Sequence, residues 1–238
     1  MTKKSDHAIC LVIGAGDATG GCTAKAFARI GYQVCVSRRP RHAHQLEALA
    51  QGIREEGGIA HSCPCDARDE DAMVAMIERI ENSIGPIEVA VFNIGANVQF
   101  SITETTSRVY RKVWEMAAFA GFLMGREVAK RMLQREHGSI FFTGATASMR
   151  GASGFSAFAG GKFALRALAQ SMARELGPKN IHVAHVVIDG AIDSTFIRET
   201  FPKVDDLRQN DEILSPEAIA DTYVWLHQQP RSNWTHEL

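Results

Sequence analysis

A run of glycines near the start of the chain has the spacing of a phosphate-binding turn. Gly14, Gly16 and Gly20 follow an apolar run at residues 8–13 and precede a segment with helical character. Glycines let the backbone turn sharply and come close to a pyrophosphate, and the free N–H groups at the start of a helix point towards it. The spacing G-x-G-x-x-x-G differs from the common G-x-G-x-x-G. We expect this turn, with Asp17 inside it, to bind a dinucleotide.

Two residues at the end of the second apolar run indicate which dinucleotide the turn would bind. Ser37 and Arg38 lie where the adenosine ribose of a dinucleotide would be found. A carboxylate at this place would hydrogen-bond the 2′-hydroxyl, whereas an arginine suits a 2′-phosphate. The pair therefore favours NADP(H), with NAD(H) as the alternative cofactor. A solvated, charged loop is the competing interpretation.

Strand-like and helical segments alternate along the chain. The strands are expected at residues 8–13, 32–37, 59–63, 87–92, 139–143 and 181–188, and the helices at 22–30, 43–56, 72–84, 105–135 and 155–176. This order predicts an α/β fold, a Rossmann-like doubly wound parallel sheet with helices on both faces, as a single domain over residues 1–238. Such sheets bind ligands at the carboxyl ends of their strands.

One long irregular stretch, residues 189–214, is predicted to be a lid over that site. Ser215 and Pro216 then fit the N-cap and first position of a last helix. The chain ends at Leu238, inside a possible seventh strand.

The composition narrows the classes of partner. A net charge of −1 argues against nucleic acid or an anionic membrane, and no apolar run is long enough to cross a bilayer. Five cysteines, an odd number, without a signal peptide indicate the cytoplasm. Cys63 and Cys65 have neither redox nor zinc spacing, so we expect no metal site.

Further features occur at the ends of the predicted strands, and with the glycine turn they resemble the short-chain dehydrogenase/reductase family over essentially the whole chain. Asp66 follows the third strand, Asn93-x-Gly95 the fourth, and the Gly190 turn the sixth, while Lys162 lies in the helix at 155–176. Together these features are specific, although each alone is weak.

The resemblance implies roles for these residues. Asp66 would meet the adenine, and Asn93 would steady the strand beside the cofactor. Lys162 would hold the hydroxyls of the nicotinamide ribose, and Ile192 would face the carboxamide through its backbone. Members of the family usually form homodimers or homotetramers through the fourth and fifth helices, here 105–135 and 155–176. The small residues 117–121 would permit close packing there.

The sequence departs from the family at the catalytic positions. The family uses Tyr-x-x-x-Lys, a Ser thirteen residues before the Tyr, and an Asn on the preceding helix. Here Phe158 replaces the Tyr, Ala145 the Ser and Ala118 the Asn, while Ala18 replaces a glycine of the turn. Only Lys162 remains. With Phe155, residues Ala145 and Phe158 predict an apolar substrate pocket.

The sequence offers few other side chains that could replace the missing proton donor. None of the three tyrosines, which are Tyr32, Tyr110 and Tyr223, is expected where it could donate this proton. Asp189 and Asp193 would serve if buried, and Lys162 would donate directly. Hydroxyls near the pocket are expected to have structural roles, and these are Thr143, Thr146, Ser148, Ser153 and Ser156.

Three functions remain open from the sequence. The first is an NADP(H)-preferring oxidoreductase acting on a small molecule with altered chemistry, such as conjugate reduction of an activated C=C bond. The second is a catalytically silent nucleotide-binding protein that acts as a sensor or as a partner subunit. The third, a structural dimer without nucleotide, is opposed by Asp66, Asn93 and Lys162.

Overall fold

The computed structural model describes residues 8–200 and 204–238, and these residues contain one parallel sheet of six strands. The order across the sheet is β3-β2-β1-β4-β5-β6. The strands are β1 (Ile9–Ile13), β2 (Gln33–Ser37), β3 (Ile59–Ser62), β4 (Ile87–Phe92), β5 (Gly138–Thr143) and β6 (Ile181–Val186). The predicted Rossmann-like sheet is therefore confirmed. The domain prediction also included residues 1–7 and 201–203, which lie outside the described residues.

Helices connect the strands and cover the sheet. They are α1 (Thr19–Arg29), α2 (Ala43–Glu55), α3 (Glu70–Ser83), α4 (Ser107–Trp114), α5 (Ala120–Arg135), α6 (Ser156–Leu176), α7 (Thr195–Thr200), α8 (Val204–Gln209) and α9 (Pro216–Gln228). A π-helical turn, Glu115–Phe119, joins α4 to α5. None of the helices in the described part of the chain combines the length and the apolar character needed to cross a membrane.

The two cores of the domain lie on opposite faces of the sheet. In β1, Ile9, Leu11 and Ile13 pack with α3, α5 and α6, whereas Cys10 and Val12 pack with α1, α2 and α9. Successive side chains of a strand point to opposite faces. Since both faces are covered, the strand is apolar at every position instead of alternating.

Helix α1 begins earlier than the sequence predicted. We expected residues 22–30, but α1 starts at Thr19 and includes Gly20 and Gly21. Glycine disfavours helix interiors, so the pattern indicated a turn there. The glycines are needed because a Cβ on Gly20 would lie 2.8 Å from the Cα of Ala15 and 2.9 Å from Nδ2 of Asn93.

The small residues at 117–121 pack within the chain. A Cβ on Gly121 would lie 2.6 Å from Leu165 and 3.3 Å from Phe92, and a Cβ on Gly161 would lie 2.9 Å from that of Ala117. Small size is therefore required for the approach of α5 and the π-helical turn to α6 and β4. These small residues are therefore needed for packing within the chain itself, and the contact expected with a second copy stays a prediction.

The end of the chain adds a short ladder beside β6. His185 N donates to His236 O at 2.8 Å, and Val187 N donates to Leu238 O at 2.7 Å. The buried His185 ring meets Glu237, with Nδ1 3.0 Å from Oε2. Arg166 of α6 donates to both oxygens of Glu237 at 2.6 Å. These contacts attach the segment predicted as a seventh strand to β6 and α6.

Candidate active site

The carboxyl ends of the strands form two adjoining cavities. The large cavity has a volume of about 550 Å³ and lies between the glycine turn and α6. The small cavity, about 250 Å³, lies at the ends of β2 and β3. Every residue that the sequence predicted for the site lines one or both of them: Gly14, Gly16, Asp17, Gly20, Ser37, Arg38, Asp66, Asn93, Gly95, Ala145, Phe155, Phe158, Lys162, Gly190 and Ile192. Their individual roles stay predictions.

The glycine turn is held between β2 and β4. Gly14 N and Ala15 N donate to Ser37 O at 2.9 and 3.1 Å, and Asn93 Nδ2 donates to Gly14 O at 3.2 Å. Gly14 has φ +90°, and a Cβ there would lie 2.6 Å from Asn93 O, so only glycine fits. Ala18 gives α1 no side-chain cap, which leaves the first N–H groups of the helix for an anion.

Asp17 connects the turn to the segment at 189–214. Its Oδ2 accepts a hydrogen bond from Thr195 N at 3.3 Å. Hydrogen bonds from the side chain and the backbone of Thr195, together with the positive charge of Arg38, hold the pKa of the Asp17 carboxyl below its usual value. The segment is not irregular throughout, since it contains the short helices α7 and α8. Its proximity to the glycine turn, which with the uncapped start of α1 forms a cradle for phosphates, is compatible with the predicted lid. The lid itself remains a prediction.

The small cavity is rich in positive charge. Arg38, Arg39, Arg68 and His42 line it together with Asp66. Arg68 donates to both oxygens of Asp66, through Nε at 2.9 Å and NH2 at 2.5 Å, and this pair lowers the pKa of the carboxyl. In the described part of the chain, neither Arg38 nor Arg39 forms an ion pair. The cavity therefore offers guanidinium groups for a phosphate.

Lys162 is a buried basic group that lines the large cavity. Its Nζ donates to Thr143 O at 2.8 Å and to Ile94 O at 3.1 Å, at the ends of β5 and β4. Burial disfavours the charged form and lowers the pKa of the amine to about 8. The Phe158 ring, one helical turn before Lys162, has its centroid 5.9 Å from Nζ. The two side chains thus face the same space, as the spacing predicted.

Neither aspartate that the sequence offered as a proton donor is suited to that role, because Asp189 is exposed and Asp193 is paired with two arginines. The side chain of Asp189 is 59% exposed and accepts a hydrogen bond from the Thr146 hydroxyl. Asp193 pairs with Arg208 at 2.7 Å and with Arg198 at 2.8 Å. Hydrogen bonds from these guanidinium groups hold the pKa of Asp193 well below the usual range. The carboxylate therefore stays ionised at neutral pH and has no proton to donate.

The three tyrosines lie outside both cavities, as expected. Tyr223 is fully buried under β5, where its hydroxyl is 2.6 Å from Thr143 Oγ1, and burial raises its pKa. The Tyr32 hydroxyl is 2.7 Å from Nε2 of His227. Tyr110 lies on α4, and its hydroxyl would be 2.6 Å from a Cβ on Gly160. None of them lines the space around Phe158.

The predicted structural role of a hydroxyl is seen most clearly in the β5–α6 loop. Ser148 Oγ is fully buried and accepts a hydrogen bond from Ala145 N at 3.1 Å. This bond fixes the backbone at Ala145, which the sequence predicts to stand in place of a serine. The methyl group of Ala145 then forms part of the cavity wall.

Sequence reasoning missed several lining residues. Arg68 follows Asp66 by two positions, a spacing that permits a local ion pair and was the available signal. Arg150 lies at the mouth of the large cavity, 4.0 Å from Asp189, and is 72% exposed. Met116 of the π-helical turn lines the small cavity, and no motif predicted its position because it depends on how the helix packs.

Comparisons with known proteins agree on one family. The family model described as short chain dehydrogenase matches residues 8–205. A crystal structure of a short-chain dehydrogenase from Rhodopseudomonas palustris is 48% identical, covers 99% of this chain and 98% of its own, and superposes with a TM-score of 0.83.

Two further relatives illustrate the range of the similarity. Dehydrogenase/reductase SDR family member 4 of Homo sapiens is 30% identical over 204 residues, 83% of this chain and 71% of the relative. A variant of the actinorhodin polyketide ketoreductase, solved with NADPH, is 21% identical, has a TM-score of 0.88, and covers 100% of this chain and 97% of its own. The last likeness bears on the fold alone.

The packing of the glycine turn yields a stability test. The variant Gly20→Ala places a methyl group against the backbone of Gly14 and Ala15, and we expect it to lower the free energy of unfolding by about 1–3 kcal/mol, as overpacking does. The control is Gly52→Ala in α2, where nothing lies within 4 Å of the new Cβ. There we expect a gain of about 0.4–1 kcal/mol. Urea unfolding of both variants measures the difference, and equal effects would contradict the close packing.

Proposed function

The chain belongs to the short-chain dehydrogenase family, and we propose that it binds a nicotinamide dinucleotide, NADP(H) by preference, with hydride-transfer chemistry altered at the vacated catalytic positions. One observation carries this proposal. Phe158 and Lys162 face one cavity that is also lined by the glycine turn. The residues expected to bind the nucleotide thus lie together, and Phe158 supplies no hydroxyl beside them.

The cradle fits a dinucleotide. The uncapped start of α1 would bind the pyrophosphate, and Arg38 would bind a 2′-phosphate in the small cavity. Asp66 would meet the adenine, Lys162 the hydroxyls of the second ribose, and the backbone of Ile192 the carboxamide. Asp17 adds a negative charge to the cradle, but its bond to Thr195 N directs the carboxylate into the segment at 189–214.

The proposed change in chemistry follows from the missing proton donor. A bound nicotinamide supplies or accepts a hydride, and reduction of a carbonyl also needs a proton at its oxygen. Loss of a positioned general acid costs roughly 10²–10⁴ in rate, and loss of a donor to the developing oxyanion roughly 10²–10³. Phe158 and Ala145 supply neither group. Ordinary carbonyl reduction should therefore be slow.

Conjugate reduction of an activated C=C bond suits this site better. In that reaction the proton goes to carbon and can come from water, so no tyrosine is required. The apolar wall formed by Ala145, Phe155 and Phe158 would accept a small apolar substrate. Lys162, with a pKa of about 8, is the group lining the cavity that is best matched to proton transfer near neutral pH.

A catalytically silent nucleotide-binding protein is the second candidate. The same substitutions that slow carbonyl reduction favour it, because they leave the nucleotide cradle intact. Incubation with NADPH and a panel of ketones, enones and imines separates the two. Loss of nicotinamide absorbance with any of them supports the enzyme, whereas tight binding without turnover supports the sensor or partner subunit.

We also propose a cytoplasmic homodimer or homotetramer. Trp114 and Phe122 are 41% and 38% exposed and stack on Phe119 between them, with centroid distances of 5.9 and 6.2 Å. An exposed aromatic row of this kind suits contact with a second copy. All five cysteines are free, which fits a reducing compartment.

The cofactor preference is tested at Arg38. We expect Arg38→Ala to lose hydrogen bonds to a charged phosphate worth about 1.5–3 kcal/mol, so NADPH binding weakens by roughly tenfold or more while NADH binding changes little. Calorimetry with both cofactors measures the ratio, and Arg108→Ala, an exposed arginine on α4, serves as the control. An unchanged ratio in Arg38→Ala would rule out the assigned role.

The role of Lys162 is tested by Lys162→Ala. If the ammonium holds the ribose hydroxyls, the dissociation constant for NADPH should rise by the equivalent of about 1.5–3 kcal/mol. If its main role is proton transfer, turnover on a true substrate should collapse while affinity stays the same. A thermal melt of the variant controls for the two carbonyls left without a donor. Unchanged affinity together with unchanged turnover would contradict both roles.

The vacated positions are tested by restoring their hydroxyls. Phe158→Tyr and Ala145→Ser each add one oxygen atom and nearly conserve volume, so we expect little loss of stability. Phe158→Tyr should raise the rate of reduction of a small diketone, and the double variant should exceed the sum of the single effects, because the two groups act as a unit. A normal enzymatic rate already present in the wild type would show that another group supplies the proton.

A further inference from the structure

Lys162 has surroundings that differ from those of an ordinary structural lysine. Its side chain is 2% exposed, and among the described residues no carboxylate lies within ion-pair distance of Nζ. Its hydrogen-bond partners are the backbone carbonyls of Thr143 and Ile94. A buried lysine is normally paired with an acid, since an unpaired buried charge is costly.

The two hydrogen-bond acceptors around Nζ match the two hydrogens of a neutral amine. A neutral amine carries two hydrogens and one lone pair, and the two carbonyls at 2.8 and 3.1 Å accept both hydrogens. An ammonium carries a third hydrogen, for which the described residues offer only the Phe158 ring at 5.9 Å. That distance is at the limit of a cation–π contact. The neutral form therefore satisfies its hydrogen bonds and keeps its lone pair unbonded.

The walls of the large cavity strengthen the same preference. Ala145, Phe155, Phe158, Ile188 and Ile192 form the apolar part of the lining, and Asn97, Thr146 and Arg150 are among its polar residues. Burial of Lys162 lowers the pKa of its amine to about 8. Burial of a lysine in an apolar pocket is a recognised way to make its amine nucleophilic near neutral pH.

We propose that the Lys162 amine is a nucleophile that condenses reversibly with a small apolar ketone or aldehyde in the large cavity to form an imine. This activity goes beyond the proposed hydride transfer and needs no nucleotide. The cavity volume of about 550 Å³ leaves room for such a molecule beside the amine.

The step balances without an oxidant or reductant. The nitrogen lone pair forms a bond to the carbonyl carbon, and the π electrons of the C=O bond move to oxygen, which takes a proton from nitrogen. The resulting carbinolamine loses its hydroxyl group and the second nitrogen proton as water, and a C=N bond forms. One proton taken up from water then gives the iminium ion, whose N–H can return to Thr143 O. The iminium acidifies the neighbouring C–H bonds of the ligand.

Reductive trapping tests the proposal on nucleotide-free protein. The protein is incubated at pH 7 with cyclohexanone and sodium cyanoborohydride, and tryptic peptides are mapped by mass spectrometry over time. Lys179, an exposed lysine that follows α6, is the internal control. At pH 7 a pKa of about 8 gives a neutral fraction roughly two orders of magnitude above that of a free lysine. We expect Lys162 to be alkylated at least tenfold faster than Lys179, with the rate rising through a midpoint near pH 8.

Two variants sharpen the test. Lys162→Arg keeps a cation and N–H donors but cannot form an imine, so the fast label should vanish. Ala145→Leu keeps Lys162 and fills the space beside it, so labelling at Lys162 should fall at least tenfold while Lys179 is unaffected. Labelling of wild-type Lys162 that is equal to or slower than that of Lys179 overturns the proposal, whether or not the variants fold. Fast labelling that persists in Ala145→Leu overturns the assignment to this cavity.

Discussion

Three hydrogen bonds hold the glycine turn against the sheet, and both cavities depend on them. Gly14 N and Ala15 N bind Ser37 O, and the Asn93 amide binds Gly14 O. The turn is thereby held between β2 and β4, on either side of β1. This is the point where the strand order reverses, and the gap that opens there is where sheets of this type bind ligands.

Polar groups in the two cavities are distributed unequally. The small cavity has three arginines and one paired aspartate, which suits the phosphate and base of an adenosine. In the large cavity, Lys162 is surrounded by apolar walls, with Asp17 and Arg150 as the other ionisable side chains lining it among the described residues. The groove is therefore well equipped to bind a dinucleotide and poorly equipped to donate a proton. That contrast is the physical basis for the two proposed functions, an enzyme with altered hydride-transfer chemistry and a nucleotide-binding protein without catalysis.

Lys162 connects these features because of where its partners lie. Thr143 ends β5 and Ile94 lies two residues after β4, so the amine bridges the ends of these adjacent strands. In a site with tyrosine at position 158, a phenol would share this space. With phenylalanine there, no side-chain oxygen among the described residues hydrogen-bonds the amine, and its pKa is lowered by burial.

The sequence by itself determined the order of the elements and the residue types at the strand ends. The bounds of β4 match the prediction, and Ser215 caps α9 with Pro216 in the first position, because apolar runs and capping residues act over a few neighbouring positions. The spacing to Lys162 likewise predicts that Phe158 occupies the place of a tyrosine. Only the tertiary structure decided that Asp17 bonds to Thr195, that Tyr223 bonds to Thr143, and that Lys162 bonds to the backbone carbonyls of Thr143 and Ile94. Asp17 and Thr195 are 178 positions apart, and contacts of this kind depend on how the helices and loops pack over the sheet, which no local pattern encodes.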